Sequence, residues 1–225
     1  MIFNMKTKTI IMLVFLSLFW GCKIKPITYL ALGDSYTIGE SIDDNLRWPV
    51  QLANKLKENG NNINDPLIIA KTGWTTDELL DAMEKTKLNG PYDLVTLLIG
   101  VNNQYRGRDV EEYRVQYKEL LNKAVILAGN KPERVYVLSI PDWGVTTFAE
   151  GRDRAKIGSE IDLFNSVKKT ETIKAGVKFI DITEISRNAE SDKSLLAKDG
   201  LHPSGKMYSI WVKELLFELP GNLKK

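Results

Sequence analysis

His202 is the only histidine in this 225-residue sequence, so any imidazole chemistry must happen at one place. Asp199 lies just upstream, in Lys198-Asp199-Gly200-Leu201-His202-Pro203. A tight turn through Gly200 would fold the Asp199 carboxylate back onto one ring nitrogen, and Pro203 biases His202 toward an extended backbone. A histidine held in one tautomer in this way can take a proton from a serine hydroxyl, otherwise a weak nucleophile. The candidate hydroxyl is Ser35, in Leu32-Gly33-Asp34-Ser35-Tyr36-Thr37-Ile38-Gly39. A loop of this kind also suits a phosphate, and the stretch alone does not separate the two uses. Addition of a serine to a carbonyl further requires donors for the oxyanion, and the Ser35 N–H, the Gly73 N–H and the Asn102 side-chain amide would make a three-donor hole. Cys22 is the only cysteine, which rules out an intramolecular disulfide, cysteine metal sites and thiol catalysis in the folded domain.

Elements able to bring these residues together alternate along the chain. Residues 27–32 form a short apolar run that stops at Gly33, and residues 67–70 form another that breaks at Lys71-Thr72-Gly73-Trp74. Residues 94–99 are nearly all apolar, as in a central parallel strand covered on both faces. They end in Gly100-Val101-Asn102-Asn103-Gln104. A fourth run, 135–140, is broken by Pro141-Asp142-Trp143-Gly144, and residues 177–182 alternate more, as an edge strand would.

Between these runs the spacing predicts helices. One covers residues 48–60, with Pro49 in its first turn. Another starts at Thr75, where Thr75-Thr76-Asp77-Glu78 has capping-box spacing. Tyr113, Tyr117, Leu120, Leu121, Ala124 and Leu127 mark a long amphipathic helix, and Ile161, Phe164 and Val167 mark another. Ser204 can cap a last one. Five strands separated by helices imply an α/β chain with an open parallel sheet in one domain. The loops carrying Ser35, Gly73 and Asn102 then lie at the same carboxyl edge, where such sheets bind ligands.

In Gly33-Asp34-Ser35 with Gly39, Gly73, Gly100-x-Asn102 and Asp199-x-x-His202, the sequence resembles the SGNH or GDSL-type hydrolases, a family of serine esterases and lipases. The resemblance runs over residues 27–219 and rests on all four blocks occurring in order, each at the end of a predicted strand or before the last helix. It implies a three-layer α/β/α sandwich with a flavodoxin-like five-stranded parallel sheet. Ser35 would be the nucleophile, His202 the base and Asp199 its orienting partner. Ser35, Gly73 and Asn102 would supply the oxyanion hole, with no metal and no organic cofactor required. Tyr36 stands where the first block commonly has leucine, and Asn103 where the third commonly has aspartate. The implied reaction is hydrolysis of a small-molecule, lipid or glycan ester.

Other features bound the reading. The Gly-x-Ser-x-Gly elbow is absent because Thr37 occupies its second glycine position, and neither Gly-x-x-x-x-Gly-Lys nor Gly-x-Gly-x-x-Gly occurs. A flavodoxin-like module holding phosphate or FMN at the Ser35/Thr37 loop is the rival from another class; it would have no need of Asp199 or His202. Trp74 and Trp143 read either as walls for an acyl chain or sugar ring or as lids over the local core. Arg106 and Arg108 read as a solvated loop or, less commonly, as contacts for an anionic substrate. A formal charge of +2 gives no argument for nucleic acid. The first 22 residues have Lys6 and Lys8, a long apolar centre, then Gly21 and Cys22. They read as a signal peptide whose Cys22 becomes a lipid-bearing first residue, followed by a linker over residues 23–26. The hydrolase domain at 27–225 would thus be exported across the inner membrane and membrane-anchored as a bacterial lipoprotein, in the periplasm or on the outer surface.

Overall fold

The five apolar runs become strands β1 (Tyr29–Gly33), β2 (Leu67–Ala70), β3 (Leu94–Leu98), β4 (Val135–Leu138) and β5 (Lys178–Ile180). The computed structural model describes residues 25–221; Cys22, the signal segment and the first half of the linker lie outside them. All four pairings are parallel, in the order β2-β1-β3-β4-β5. The sheet is the predicted flavodoxin-like one. β1 and β3 are buried along their whole length, as their mostly apolar character leads one to expect.

The chain leaves β1 in one direction to form β2 and passes back over it to form β3 and the rest. The topological switch point therefore falls between β1 and β3, and ligands of open α/β sheets bind in the crevice beyond it. Gly33 pairs with Ala70 on one side and Leu98 on the other, so the three strands end level. The loops bearing Ser35, Gly73 and Asn102 all start from that line.

Helices cover both faces. Helix α1 (Ser35–Ile38) is a single short turn, and α2 (Trp48–Glu58) carries Pro49 in its first turn. Next come α3 (Thr76–Lys85), α4 (Val101–Tyr105), α5 (Val110–Leu127), α6 (Arg154–Lys174), α7 (Thr183–Arg187) and α8 (Gly205–Glu218). α2 packs with α8, while α5 packs with α3 and with α6. Trp48 and Leu52 of α2 and Trp211 and Leu215 of α8 are fully buried, giving that pair its apolar contact. The capping box at α3 is formed, with the Thr75 N–H donating 2.8 Å to Glu78 Oε2.

Three strands are shorter than their apolar runs. β3 stops at Leu98 because the Ile99 carbonyl accepts from Lys168 Nζ at 3.1 Å and Gly100 turns to φ 125°. β4 stops at Leu138 because the Ile140 N–H donates to Asn165 Oδ1 at 2.7 Å. β5 stops at Ile180 because the Ile182 and Thr183 N–H groups donate to the Ser139 hydroxyl, opening α7. In each case a side chain takes the place of a ladder partner.

Candidate active site

Ser35 opens α1, directly after the N-cap Asp34, whose Oδ1 accepts from the Tyr36 N–H at 3.1 Å. The turn from β1 into α1 needs Gly33: a Cβ there would lie 2.1 Å from Thr37 Oγ1 and 2.4 Å from the Leu98 carbonyl. Tyr208 on α8 donates its hydroxyl to the Tyr36 carbonyl at 2.8 Å, fixing α1 from the side. Thr37 is fully buried, so its hydroxyl is closed to a phosphate in the loop. That removes half of the phosphate-site reading.

Asp34 is itself wholly buried. Burial pushes its carboxyl well above the usual carboxylate range; the Tyr36 N–H and the charge of Lys168 pull it part of the way back. Burial likewise pushes the Lys168 ammonium down, against the charge of Asp34. Lys168 Nζ also donates to the Ile99 carbonyl, at the start of the Gly100 turn.

Asp199 folds back on His202 through the turn at Gly200, where φ is 70°. Its Oδ1 accepts from the Leu201 and His202 N–H groups, both at 2.9 Å, and its Oδ2 lies 2.6 Å from His202 Nδ1. Partial burial opposes ionisation of Asp199, but hydrogen bonds from Ser41, His202 and the Leu201 N–H outweigh it and hold the carboxyl at about 2. An ionised carboxylate can only accept, so Nδ1 carries a hydrogen. In the neutral ring Nε2 is then free to take a proton. The ring of His202 stands 5.7 Å from that of Tyr36, edge to face, next to the serine.

The donor loops lock to one another. Gly73 has φ 86°, a conformation that favours glycine, and its carbonyl accepts from Arg106 Nη2 at 2.6 Å. Arg106 also pairs with Glu78, the capping-box carboxylate, at 3.2 Å. Asn102 Nδ2 donates to the Trp74 carbonyl at 2.9 Å, which orients the amide and leaves its second hydrogen for the cleft. Asn103 is buried: its Oδ1 accepts from the Thr76 N–H at 3.1 Å and its Nδ2 donates to the Thr76 hydroxyl at 2.8 Å. An amide there can do both; an ionised aspartate could only accept.

These residues meet at an open cleft of about 200 Å³ lined by Ser35, Gly73, Asn102 and His202, with Tyr105, Trp143 and Phe148 as its aromatic wall. No hydrogen bond joins Ser35 to His202 here; catalytic contacts of this kind often close only around substrate. Trp143 donates its indole N–H to Gln104 Oε1 at 2.8 Å, and Gln104 is held in turn by Glu160 at 2.7 Å. Trp74 is not part of the lining. Its side chain packs against the core, and only its carbonyl serves the site, so the expectation of a wall applies to Trp143 alone. Arg106 and Arg108 are paired, the latter with Asp77 at 2.9 Å, and neither lines the cleft. Tyr105, Phe148 and Lys168 were not legible as site residues. Among the described residues no cluster of histidine and carboxylate groups is arranged to hold a metal ion, and no helix is long and apolar enough to cross a membrane.

A family model described as the GDSL-like Lipase/Acylhydrolase family matches residues 31–210. No curated protein matches the chain by sequence. Among solved structures, the lipase/acylhydrolase from Enterococcus faecalis is similar, with a TM-score of 0.68 and 20% identity over 87% of this chain and 96% of that one. The psychrotrophic esterase EstA from Pseudoalteromonas sp., in a structure inhibited by monoethylphosphonate, gives 0.65 and 19% over 88% and 99%. Axe2, an acetylxylan esterase from Geobacillus stearothermophilus, gives 0.66 and 19% over 88% and 96%. At these identities the structures speak to the fold.

Proposed function

Since this chain belongs to the GDSL-like lipase/acylhydrolase family and is an ester hydrolase, we propose that it works through an acyl-serine intermediate on short acyl or acetyl esters. Ser35 Oγ adds to the ester carbonyl carbon while His202 Nε2 takes the hydroxyl proton. The resulting oxyanion is met by the Ser35 N–H, the Gly73 N–H and the free hydrogen of the Asn102 amide. As the carbon–oxygen bond to the alcohol breaks, His202 returns the proton to the departing oxygen. Water then adds to the acyl-serine, giving its proton to His202, and the acid leaves as Ser35 recovers its hydrogen. Asp199 stays ionised and holds the ring throughout. The observation that carries the reading is the 2.6 Å contact between Asp199 and His202 at a cleft also lined by Ser35, Gly73 and Asn102.

The small cleft and its short aromatic wall favour a short acyl group on an envelope lipid or glycan, a location that follows from the signal-like start of the chain. There the mature protein is exported and held at the membrane by lipid on Cys22. Replacing Cys22 by serine should release it from the membrane fraction; retention of the variant would contradict the anchor.

The test of the reaction is hydrolysis of p-nitrophenyl acetate and butyrate by wild type, Ser35→Ala and His202→Ala. Both variants should stay folded and lose about a thousandfold or more, as members of one unit do. Equal, residual rates in all three would sink the triad. Efficient cleavage of long-chain lysophospholipids, with weak cleavage of every short ester, would make the enzyme a lysophospholipase instead.

A further inference from the structure

Arg152 lies over the aromatic wall. Its guanidinium carbon is 5.0 Å from the ring centre of Phe148, 5.4 Å from that of Trp143 and 5.6 Å from that of Tyr105, and all three rings line the cleft. Tyr105 and Phe148 are 48% and 40% exposed, so the wall reaches solvent, and Arg152 stands over it without itself lining the cleft. A guanidinium stacked on aromatic faces keeps its N–H edge free for in-plane acceptors.

What distinguishes Arg152 from its neighbours is the want of an acceptor. Arg106 pairs with Glu78, Arg108 with Asp77, and Arg154 with Glu190 and the Gly144 carbonyl. Among the described residues, the Arg152 guanidinium has no carboxylate and no carbonyl as a hydrogen-bond partner. The three rings restrict its motion, which lowers the entropy lost when it grips a ligand. Two carboxylates stand behind other parts of the lining: Asp199 contacts His202, and Glu40 accepts from the hydroxyl of Thr72. An anion is therefore directed to the aromatic side and away from these two.

We propose that Arg152 is a specificity residue that selects esters whose alcohol part carries an oxyanion, a carboxylate or a phosphate, gripped bidentately over the Tyr105–Trp143–Phe148 wall. This deepens the esterase reading above and rests on it. The reacting atoms are the same: the acyl group goes to Ser35, and the anionic alcohol is the first product.

The experiment compares kcat/KM within two pairs of acetyl esters at low and at high salt. One pair is monoacetin against acetylglycerol phosphate, the other mono-acetylated methyl glucoside against mono-acetylated methyl glucuronoside. Wild type should favour the anionic member of at least one pair about tenfold, as expected for a charge-assisted contact. Which pair responds tells phosphate from carboxylate. Arg152→Met should bring that ratio close to one, and Arg152→Lys, which keeps the charge without the fork, should restore part of it. High salt should shrink the ratio in wild type and in Arg152→Lys but not in Arg152→Met. A wild-type ratio near one in both pairs, with the neutral esters cleaved, overturns the proposal and leaves the esterase intact. So does an equal loss on both members in Arg152→Met, which would make the stack purely structural. No cleavage of any of the four, by a folded protein that also fails on p-nitrophenyl acetate, overturns the esterase reading itself.

Discussion

Arg106 holds Gly73. Its Nη2 donates to the Gly73 carbonyl at 2.6 Å, while Nη1 reaches Glu78 at 3.2 Å. The arginine just past α4 therefore braces the loop after β2, and the Gly73 N–H proposed as an oxyanion donor is aimed by a side chain that does not line the cleft. Arg106→Met should lower kcat about tenfold with a small change in KM, because the aim of the Gly73 N–H matters most in the transition state. Stability should fall by no more than about 1 kcal/mol, since the ion pair is solvent-exposed. A change in KM alone, seen in steady-state kinetics on p-nitrophenyl acetate, would contradict the brace.

Asn102 is the side-chain donor of the proposed oxyanion hole. Asn102→Ala should reduce kcat by about 100- to 1,000-fold, the usual cost of losing one oxyanion-hole donor. The same variant loses the contact to the Trp74 carbonyl, worth about 1 kcal/mol, so urea unfolding should be recorded beside the kinetics. A rate within threefold of wild type would remove Asn102 from the hole.

Lys168 and Asp34 are both buried, and the charge of each favours the charged form of the other. Lys168→Met removes that charge and the donor to the Ile99 carbonyl, and should destabilise the fold by about 1–3 kcal/mol. Asp34 is already pushed up by burial, and losing the cation pushes it further. A carboxyl raised in the folded state stabilises fully below its unfolded value and loses that contribution as pH rises through the folded one. Urea midpoints at pH 5 and pH 8 should therefore show the variant losing more stability at pH 8 than wild type loses. An unchanged gap between the two pH values would mean that Asp34 is not the group responding.

The Asp199 carboxyl has the opposite sign. Held at about 2 in the folded state, it stabilises fully above its unfolded value, and that contribution is lost as pH falls through the folded one. Wild type should lose stability between about pH 5 and pH 2 more steeply than Asp199→Asn. The asparagine variant should also drop in kcat by about 10⁴-fold, because an amide no longer selects the required tautomer of His202. Parallel acid-unfolding curves for the two proteins would contradict the hydrogen-bonding assigned to this carboxylate.

Much of this arrangement is legible in the sequence because strong local signals agree with one another. The nearly all-apolar runs at 94–98 and 135–138 read as buried strands, and the Thr75/Glu78 spacing fixes the start of α3. The turn from Asp199 to His202 follows from glycine and proline on either side of Leu201-His202. What stays hidden is short or long-range. α1 and α4 have four and five residues, too few to show a helical period. The aromatic wall joins Tyr105 on α4 to Trp143 and Phe148 after β4, a meeting that only the sheet order creates. Lys168 continues the buried stripe of Ile161 and Phe164, but a lysine on an apolar stripe reads as an interruption until the Ile99 carbonyl is seen to accept from it. Trp74 misleads for the converse reason: it sits beside Gly73 in sequence and turns its ring to the core.

The most direct measurement is covalent labelling of the purified protein by a fluorophosphonate, with the modified residue located by peptide mass spectrometry. The expected result is a single adduct on Ser35, absent from Ser35→Ala and formed at least about a hundredfold more slowly by His202→Ala. A folded, unlabelled wild-type protein, or an adduct at any other residue, would contradict Ser35 as a nucleophile activated by His202.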